Sequence, residues 1–444
     1  MAKQDKSEDK FDDIFSFPKP SFRDRMRNIR SKISTFFVKN HRRNTKAVLT
    51  ILIVIVLTGC AVLGVYLQKM LSLINYSDGT SSTPDVTFEQ DYYYEEEEES
   101  LQFQTMYDIE QADSLKDLLK TWATNEGEKL YSKYVINVLL IGEDDDEGSH
   151  RSDSCILASV NTKEKKITLC SFLRDSYTYM TINDEERYDK TNHSYSWGGA
   201  SKLMEVISNN YKIKIDHFVS IDFQSFVKVI DILGGVTVPI TEKEAAFMNR
   251  TTKIAGFEAG ENVLLNGQRA LIYSRIRKLD SEVERTRRQR EVISSLVKNI
   301  KASSLNDLNK AIETFLPYVT TNYKASEILS YAAQAVGEGW MNYEITGLAE
   351  PSDELRYEAK SFRTYTGYLD VWVVDYIKAA QEVQLALYNK TNIEIDEENH
   401  ISAVSLIQQS RSYSYSSGES QEEEETTRKR LIDWSKWKIN RDED

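Results

Sequence analysis

Residues 135–173 read VINVLLIGEDDDEGSHRSDSCILASVNTKEKKITLCSFL, and this stretch decides the fold class. Val135–Ile141 reads as a buried strand. Ser154–Val160 and Ile167–Leu173 are two more, and the polar turn Asn161–Lys166 between them makes a hairpin. If Val160 pairs with Ile167, Cys170 faces Leu157 and Cys155 faces Phe172. The two thiols are then diagonal neighbours rather than a direct pair, and both are expected free and buried. Working outward, Phe223–Leu233 has helical periodicity and stops at Gly234-Gly235 before a strand at Val236–Ile240. Further helices are expected near 266–274, 285–301, 325–336 and 373–388, and an amphipathic one from Ser114 to about Tyr131. Strands interspersed with helices predict a single α/β domain over residues 134–392.

Charged clusters follow the strand ends, where α/β folds place their sites. Glu143-Asp144-Asp145-Asp146-Glu147 leaves the first strand, Arg151-Ser152-Asp153 enters the hairpin and Arg174-Asp175 leaves it. Antiparallel pairing brings Arg151, Asp153, Arg174 and Asp175 to one edge. The densest cluster is 275–290, RIRKLDSEVERTRRQR, with seven basic and three acidic residues. Arg275 and Arg277 alternate and should share a face. The helix that follows is expected to bury Ile293, Leu296, Val297 and Ile300. That stripe, stepped back, places Arg285 and Gln289 inward and leaves Arg287 and Arg290 to solvent. An inward guanidinium needs a counter-charge. Either a polyanion supplies it or an ion pair with Asp280, Glu282 or Glu284 does, and spacing leaves both open. Arginine forks match phosphate oxygens, and neighbouring carboxylates could hold Mg²⁺ on the same phosphates. No Walker A sequence, serine-hydrolase elbow or kinase signature is present.

The termini set the topology. Ala47–Leu67 is a run of 21 residues without a charge, about 31 Å as a helix and long enough for a bilayer core. Nine Lys or Arg lie between Arg23 and Lys46, so residues 1–46 should be a cytoplasmic basic tail and 47–67 a single transmembrane helix. The rest is then extracytoplasmic at the cell membrane. Leu57-Thr58-Gly59-Cys60 resembles a lipoprotein cleavage site, but the apolar run continues past Cys60, which favours an uncleaved anchor. Residues 68–133 should be an acidic stalk with a short helical segment; 78–99 alone carry nine acidic residues and no basic one. Residues 393–444 read as a mostly disordered tail. The formal net charge of −14 argues against a nucleic-acid-coating protein, and three cysteines among 444 residues exclude a disulfide framework.

The blocks VINVLLIGEDD, RSDSCILASVNTKEKKITLCSFLRDSY, DKTNHSYSWGGA, VSIDFQSFVKVIDILGGVTV, LLNGQRALIYSRIRKLDSEVERTRRQREVI and DVWVVDYIKAAQEVQLALYNKTNI, in this order, resemble the LytR-CpsA-Psr family of bacterial cell-envelope proteins. The resemblance implies an α/β domain with a central mixed sheet flanked by helices and a hydrophobic groove for a lipid tail. It also implies an Mg²⁺-dependent phosphotransferase that moves a glycopolymer, of the teichoic acid or capsular polysaccharide type, from a polyprenyl-pyrophosphate carrier onto peptidoglycan. By position, Asp144, Asp153 and Glu282 match the metal-associated carboxylates, although an aspartate is usual where Glu282 stands. Arg151, Arg174, Arg275, Arg277, Arg285 and Gln289 match the pyrophosphate contacts. Asp153, Asp175 and Arg275 are the expected catalytic groups, with Asp175 or Asp153 assisting deprotonation of the acceptor hydroxyl. The alternative is a non-catalytic lipid- or polymer-binding, or regulatory, envelope protein.

Overall fold

A computed structural model of the chain describes residues 58, 64–66, 68–80, 108–144 except 126 and 128, 151–302, 313, 316–398, 400 and 402–407. Most of the run 47–67, the tail 1–46, the stalk from 81 to 99 and residues 408–444 lie outside the described residues. Among the described residues no helix is long and apolar enough to cross a membrane. The folded unit considered below begins at Met70.

In chain order its elements are β1 (Asn75–Tyr76), α1 (Asp108–Thr124), β2 (Val135–Asp144), β3 (Arg151–Asn161), β4 (Lys166–Phe172), β5 (Tyr177–Ile182), β6 (Glu185–Lys190) and α2 (His193–Tyr211). There follow β7 (His217–Asp222), α3 (Phe223–Ile232), β8 (Val236–Ile240), α4 (Glu242–Thr251), β9 (Gly260–Leu265), α5 (Gly267–Ser274) and α6 (Glu282–Ala302). The last are β10 (Thr320–Thr321), α7 (Ala325–Glu338), β11 (Glu344–Glu350), β12 (Arg356–Arg363), β13 (Tyr368–Val374) and α8 (Tyr376–Tyr388). Seven strands form one mixed sheet in the order β1-β10-β7-β2-β3-β4-β11, and three two-stranded ribbons pair β5 with β6, β8 with β9 and β12 with β13. The expected hairpin is β3–β4, with Val160 opposite Ile167 and Leu157 opposite Cys170. Cys155 and Cys170 are free and buried.

Side chains alternate across a strand with period two, and here the two faces do different work. Leu139, Ile141, Cys155, Leu157, Cys170 and Phe172 point to one side and pack with Leu119, Trp122, Leu203, Ile207, Val383 and Leu387 from α1, α2 and α8. Leu140, Ile156, Val219 and Ile221 belong to the other face and line a cavity. Capping fixes the helices that roof this second face. Asp222 accepts the Ser225 amide at the start of α3 at 2.8 Å, and Asn266 accepts the Arg269 amide at the start of α5 at 3.0 Å. Gly267 lets α5 approach α3, since a Cβ there would lie 2.1 Å from the Val227 carbonyl oxygen.

Three expectations need correction. The first helix runs from Asp108 to Thr124 rather than from Ser114 to Tyr131, because Leu115, Leu119 and Trp122 dock into the main core and fix its extent. The folded unit is wider than residues 134–392: β1 joins the sheet, α1 packs on it, and Ile393, Ala403 and Ile407 are buried in the same core. Helix α2 was not anticipated as an element. Its buried face carries Ala200, Leu203, Met204, Ile207 and Tyr211, but the helix opens on a polar stretch with Ser194 and Ser196 buried and bends at Gly199, whose φ of 67° is not helical.

Candidate active site

The cavity on the second sheet face holds about 400 Å³. Its floor is Leu140, Ile156, Val219 and Ile221; its walls are Phe223, Phe226, Val229 and Leu233 from α3 and its end, and Ile293, Leu296, Val297 and Ile300 from α6. The stripe expected to be buried on α6 therefore faces this groove, while Val292, one residue away, is fully buried in a second core with Val236, Met248 and Tyr273. The polar lining consists of Asp153, Ser154, Ser274, Arg275, Arg277, Arg285 and Gln289. Gly142 also lines it, at a bulge in the β2–β3 ladder. A Cβ at Gly142 would sit 2.3 Å from the Ser154 Oγ, so a larger residue here would have to turn the Ser154 hydroxyl aside.

Asp153 stands at the centre of the charged mouth. It accepts from Arg174 Nη1, and Arg277 Nη2 lies 3.3 Å from its Oδ1. Burial alone would push the Asp153 carboxyl up, but Arg174, Arg277, Arg285 and Arg275 together hold it below the usual carboxylate range. Arg174 leaves β4 with its Nε 3.5 Å from Asp175 Oδ2 and 3.8 Å from Glu282 Oε1. Glu282, at the start of α6, also accepts from Arg285 Nη2. Arg285 is 3% exposed, and its Nε is buried without a hydrogen-bond partner among the described residues. Burial lowers its pKa, and Arg174 and Arg277 lower it further against the opposing pull of Glu282. Arg275 ends α5 and stacks on the Phe223 ring at 4.4 Å. Gln289 reaches the Ser274 carbonyl at 3.5 Å.

The expected residues are thus largely together. Asp153, Arg275, Arg277, Arg285 and Gln289 line one cavity, and Arg174 and Glu282 join them through ion pairs. Asp175 is not part of the lining; it pairs with Lys190 Nζ at 2.9 Å and with Arg174. The side chains of Asp144 and Arg151, and residues 145–150, lie outside the described residues, though Asp144 and Arg151 are backbone partners at the end of β2 and the start of β3. Among the described residues no group of three or more His, Cys, Asp or Glu is placed to hold a metal ion.

Arg287 and Arg290 are not turned to solvent as expected. Arg287 pairs with Glu284, Glu291 and Glu244, and Arg290 donates to Ser171 Oγ at 2.8 Å and Thr286 Oγ1 at 3.1 Å. The reason is that α6 is covered on several sides, by the sheet and by the layer of α4 and β8, and not along one stripe only. Sequence reading also passes over Arg288, which is 0% exposed. Stepping back four residues from Val292 would have found it.

Asp175 gives a pH prediction. Burial raises its pKa, but Arg174 and Lys190 outweigh burial and hold it well below the ordinary value of 3.8. A depressed folded-state pKa stabilises fully above the unfolded value and loses that contribution as pH falls towards the folded one. Asp175→Asn is therefore expected to cost roughly 1–3 kcal/mol at pH 7. The gap in urea midpoint between the two proteins should narrow at pH 3. An equal gap at both pH values would contradict the ion-pair assignment.

Residues 101–361 match the model of the LytR_cpsA_psr family. The chain is 33% identical over 236 residues to the polyisoprenyl-teichoic acid–peptidoglycan teichoic acid transferase TagU of Halalkalibacterium halodurans, a match covering 49% of this chain and 75% of that protein. It is 36% identical over 224 residues to the TagU of Enterococcus faecalis, covering 48% and 70%. Among solved structures, TagT bound to LIIa-WTA is 25% identical with a TM-score of 0.47, covering 60% of this chain and 96% of that one.

Proposed function

This chain belongs to the LytR-CpsA-Psr family, and from that membership we propose that it transfers a glycopolymer from a polyprenyl-pyrophosphate carrier to peptidoglycan. The observation that carries the proposal is one continuous cavity, apolar along its length and rich in arginine at its mouth. A prenyl chain fits the first part and a pyrophosphate diester the second. A nucleotide would need polar partners where Phe226, Val229 and Ile293 stand. The relatives named as teichoic acid transferases support the same reading, and a teichoic-acid-type or capsular polymer is the proposed cargo.

The reaction balances as a phosphoryl transfer. A peptidoglycan hydroxyl attacks the phosphorus that carries the polymer, and the bond from that phosphorus to the bridging oxygen breaks. Polyprenyl monophosphate leaves, and a phosphodiester joins polymer to peptidoglycan. Arg174, Arg275, Arg277 and Arg285 bind the pyrophosphate, with Arg151 and Gln289 as further contacts, and neutralise charge growing on the leaving phosphate. Asp153 is the better-placed base, because it lines the cavity while Asp175 holds Arg174. Free, Asp153 is a weak base, depressed by four arginines.

Magnesium is part of the proposal. Asp153 and Glu282 both bring carboxylate oxygens to Arg174, the hard-donor chemistry that Mg²⁺ prefers, and together with Asp144 they would hold the ion. Bound there, it would supply further neutralisation of phosphate charge. The location proposed is the outer face of the cell membrane, with Ala47–Leu67 as anchor and 1–46 cytoplasmic, where lipid-linked donor and peptidoglycan meet.

The full-length chain in detergent, given a polyprenyl-pyrophosphate-linked glycopolymer and peptidoglycan, should render the polymer insoluble with the wall. Chelation by EDTA should reduce the rate by at least tenfold, and Mg²⁺ should restore it. Transfer indifferent to chelation removes the metal from the mechanism. Polymer that stays on its lipid with Mg²⁺ present favours a binding or regulatory protein instead.

A further inference from the structure

We infer that Arg288, with Asp280 and Glu244, is the positioning device that sets the arginine loop of the active site. This rests on the transferase reading and goes beyond it, since Arg288 is absent from the cavity lining.

Helix α5 ends at Ser274 and α6 begins at Glu282; the Arg275 amide still closes α5, and Arg277 sits on the irregular link beyond that last turn. Two groups on that link are fixed from one side chain. Arg288 Nη2 donates to the Ile276 carbonyl at 3.0 Å, midway between the two arginines, and to Asp280 Oδ1 at 2.7 Å. Its Nη1 donates to Asp280 Oδ2 at 2.7 Å and to Glu244 Oε1 at 3.1 Å. The contact with Asp280 is thus a bidentate fork, which fixes orientation as well as distance.

Glu244 anchors the far end. It is the third residue of α4 and closes a capping box with Thr241, its Oε2 accepting from the Thr241 amide and hydroxyl at 2.8 Å each. Its other oxygen accepts from Arg288 and from Arg287. Arg288 is 0% exposed and Glu244 only 2% exposed. The link therefore has one rigid tether, running from the α4 cap through Arg288 to the backbone between Arg275 and Arg277. Ile276, whose carbonyl takes the hydrogen bond, is itself buried in the second core. With Ile276 held inward, residues 275 and 277 are directed to the cavity.

The test compares full-length wild type with Asp280→Asn and Arg288→Lys, using geranylgeranyl pyrophosphate and geranylgeraniol as probes. The alcohol reads the apolar groove, and the difference between the two probes reads the arginine mouth. Both variants should bind the pyrophosphate about tenfold or more weakly, the loss of one charge-assisted hydrogen bond to the phosphates. Both should keep wild-type affinity for the alcohol. Asp280→Asn leaves Arg288 its Glu244 partner, so it decides the matter should Arg288→Lys fail to fold. Unchanged pyrophosphate affinity in Asp280→Asn overturns the inference. So does equal weakening of both probes, which a merely structural role would give. A wild-type protein that binds both probes equally instead defeats the transferase reading itself.

Discussion

Replacing Arg275 with alanine should lower kcat/KM for polymer transfer by roughly 10²–10³-fold while leaving the domain folded. The residue is exposed and ends α5, where its backbone amide still closes the helix on Leu271 and Ile272 after truncation. What is lost in the folded state includes the stacking on Phe223, about 0.5–1 kcal/mol at an exposed position. What is lost in the reaction is larger, because a guanidinium aimed at phosphate oxygens helps most as charge develops on the leaving group. Arg174 is a poorer test of the same idea. It is tied to Asp153, Asp175 and Glu282, so its removal takes one counter-charge from each of three partly buried carboxylates and costs stability as well as activity. A folded Arg275→Ala protein that transfers at the wild-type rate would remove that arginine from the mechanism.

Filling the groove should be as damaging and separable from the charge chemistry. Val297 lines the cavity from the middle of the α6 wall. Tryptophan there projects into open space of about 400 Å³ rather than into a packed core, so overpacking should be slight. Each five-carbon isoprene unit kept out of the groove forfeits about 3 kcal/mol of apolar transfer, near 10²-fold in affinity. Val297→Trp is therefore expected to weaken a long-chain prenyl pyrophosphate by about 10²-fold or more and to leave binding of inorganic pyrophosphate unchanged. Calorimetric titration of both ligands reads the difference. Equal affinity of wild type and variant for the prenyl ligand would place the lipid elsewhere.

The strands 135–173 are readable from sequence because antiparallel pairing with one face in a core constrains every second residue. Val160 opposite Ile167 follows from the turn between them, and the diagonal cysteines follow from that. The charged mouth is readable for a related reason: β2, β3 and β4 deliver their ends to one edge, so Asp153 and Arg174 must meet. The groove itself is not readable as a groove. A stripe of Ile293, Leu296, Val297 and Ile300 has the same composition whether it meets a core or a lipid-sized space, and only tertiary packing leaves the gap. Arg288 escapes because a helix phased on that stripe turns it away from the site, and nothing local shows that α4 brings Glu244 to meet it. Helix α2 escapes because Gly199, at φ 67°, and the buried Ser194, Ser196 and Ser208 interrupt the apolar pattern of its inner face.

Acid pairing accounts for the place of the two glutamates that open α6. Glu282 stands where aspartate is usual, and its longer arm still accepts from Arg285 while lying near Arg174. Glu284 pairs with Arg287 and takes no part in lining the cavity.

The central claim is that prenyl groove and arginine mouth act as one site on one donor, breaking the bond between its two phosphorus atoms' bridging oxygen and the polymer-bearing phosphorus. Phosphorus-31 spectroscopy of a completed reaction, run with full-length protein, Mg²⁺, polyprenyl-pyrophosphate-linked polymer and peptidoglycan, reads both products at once. The expected result is one polyprenyl monophosphate released for each new phosphodiester on the wall, with no inorganic pyrophosphate. Release of free pyrophosphate or of the intact polyprenyl pyrophosphate, or persistence of the donor unchanged, would contradict it.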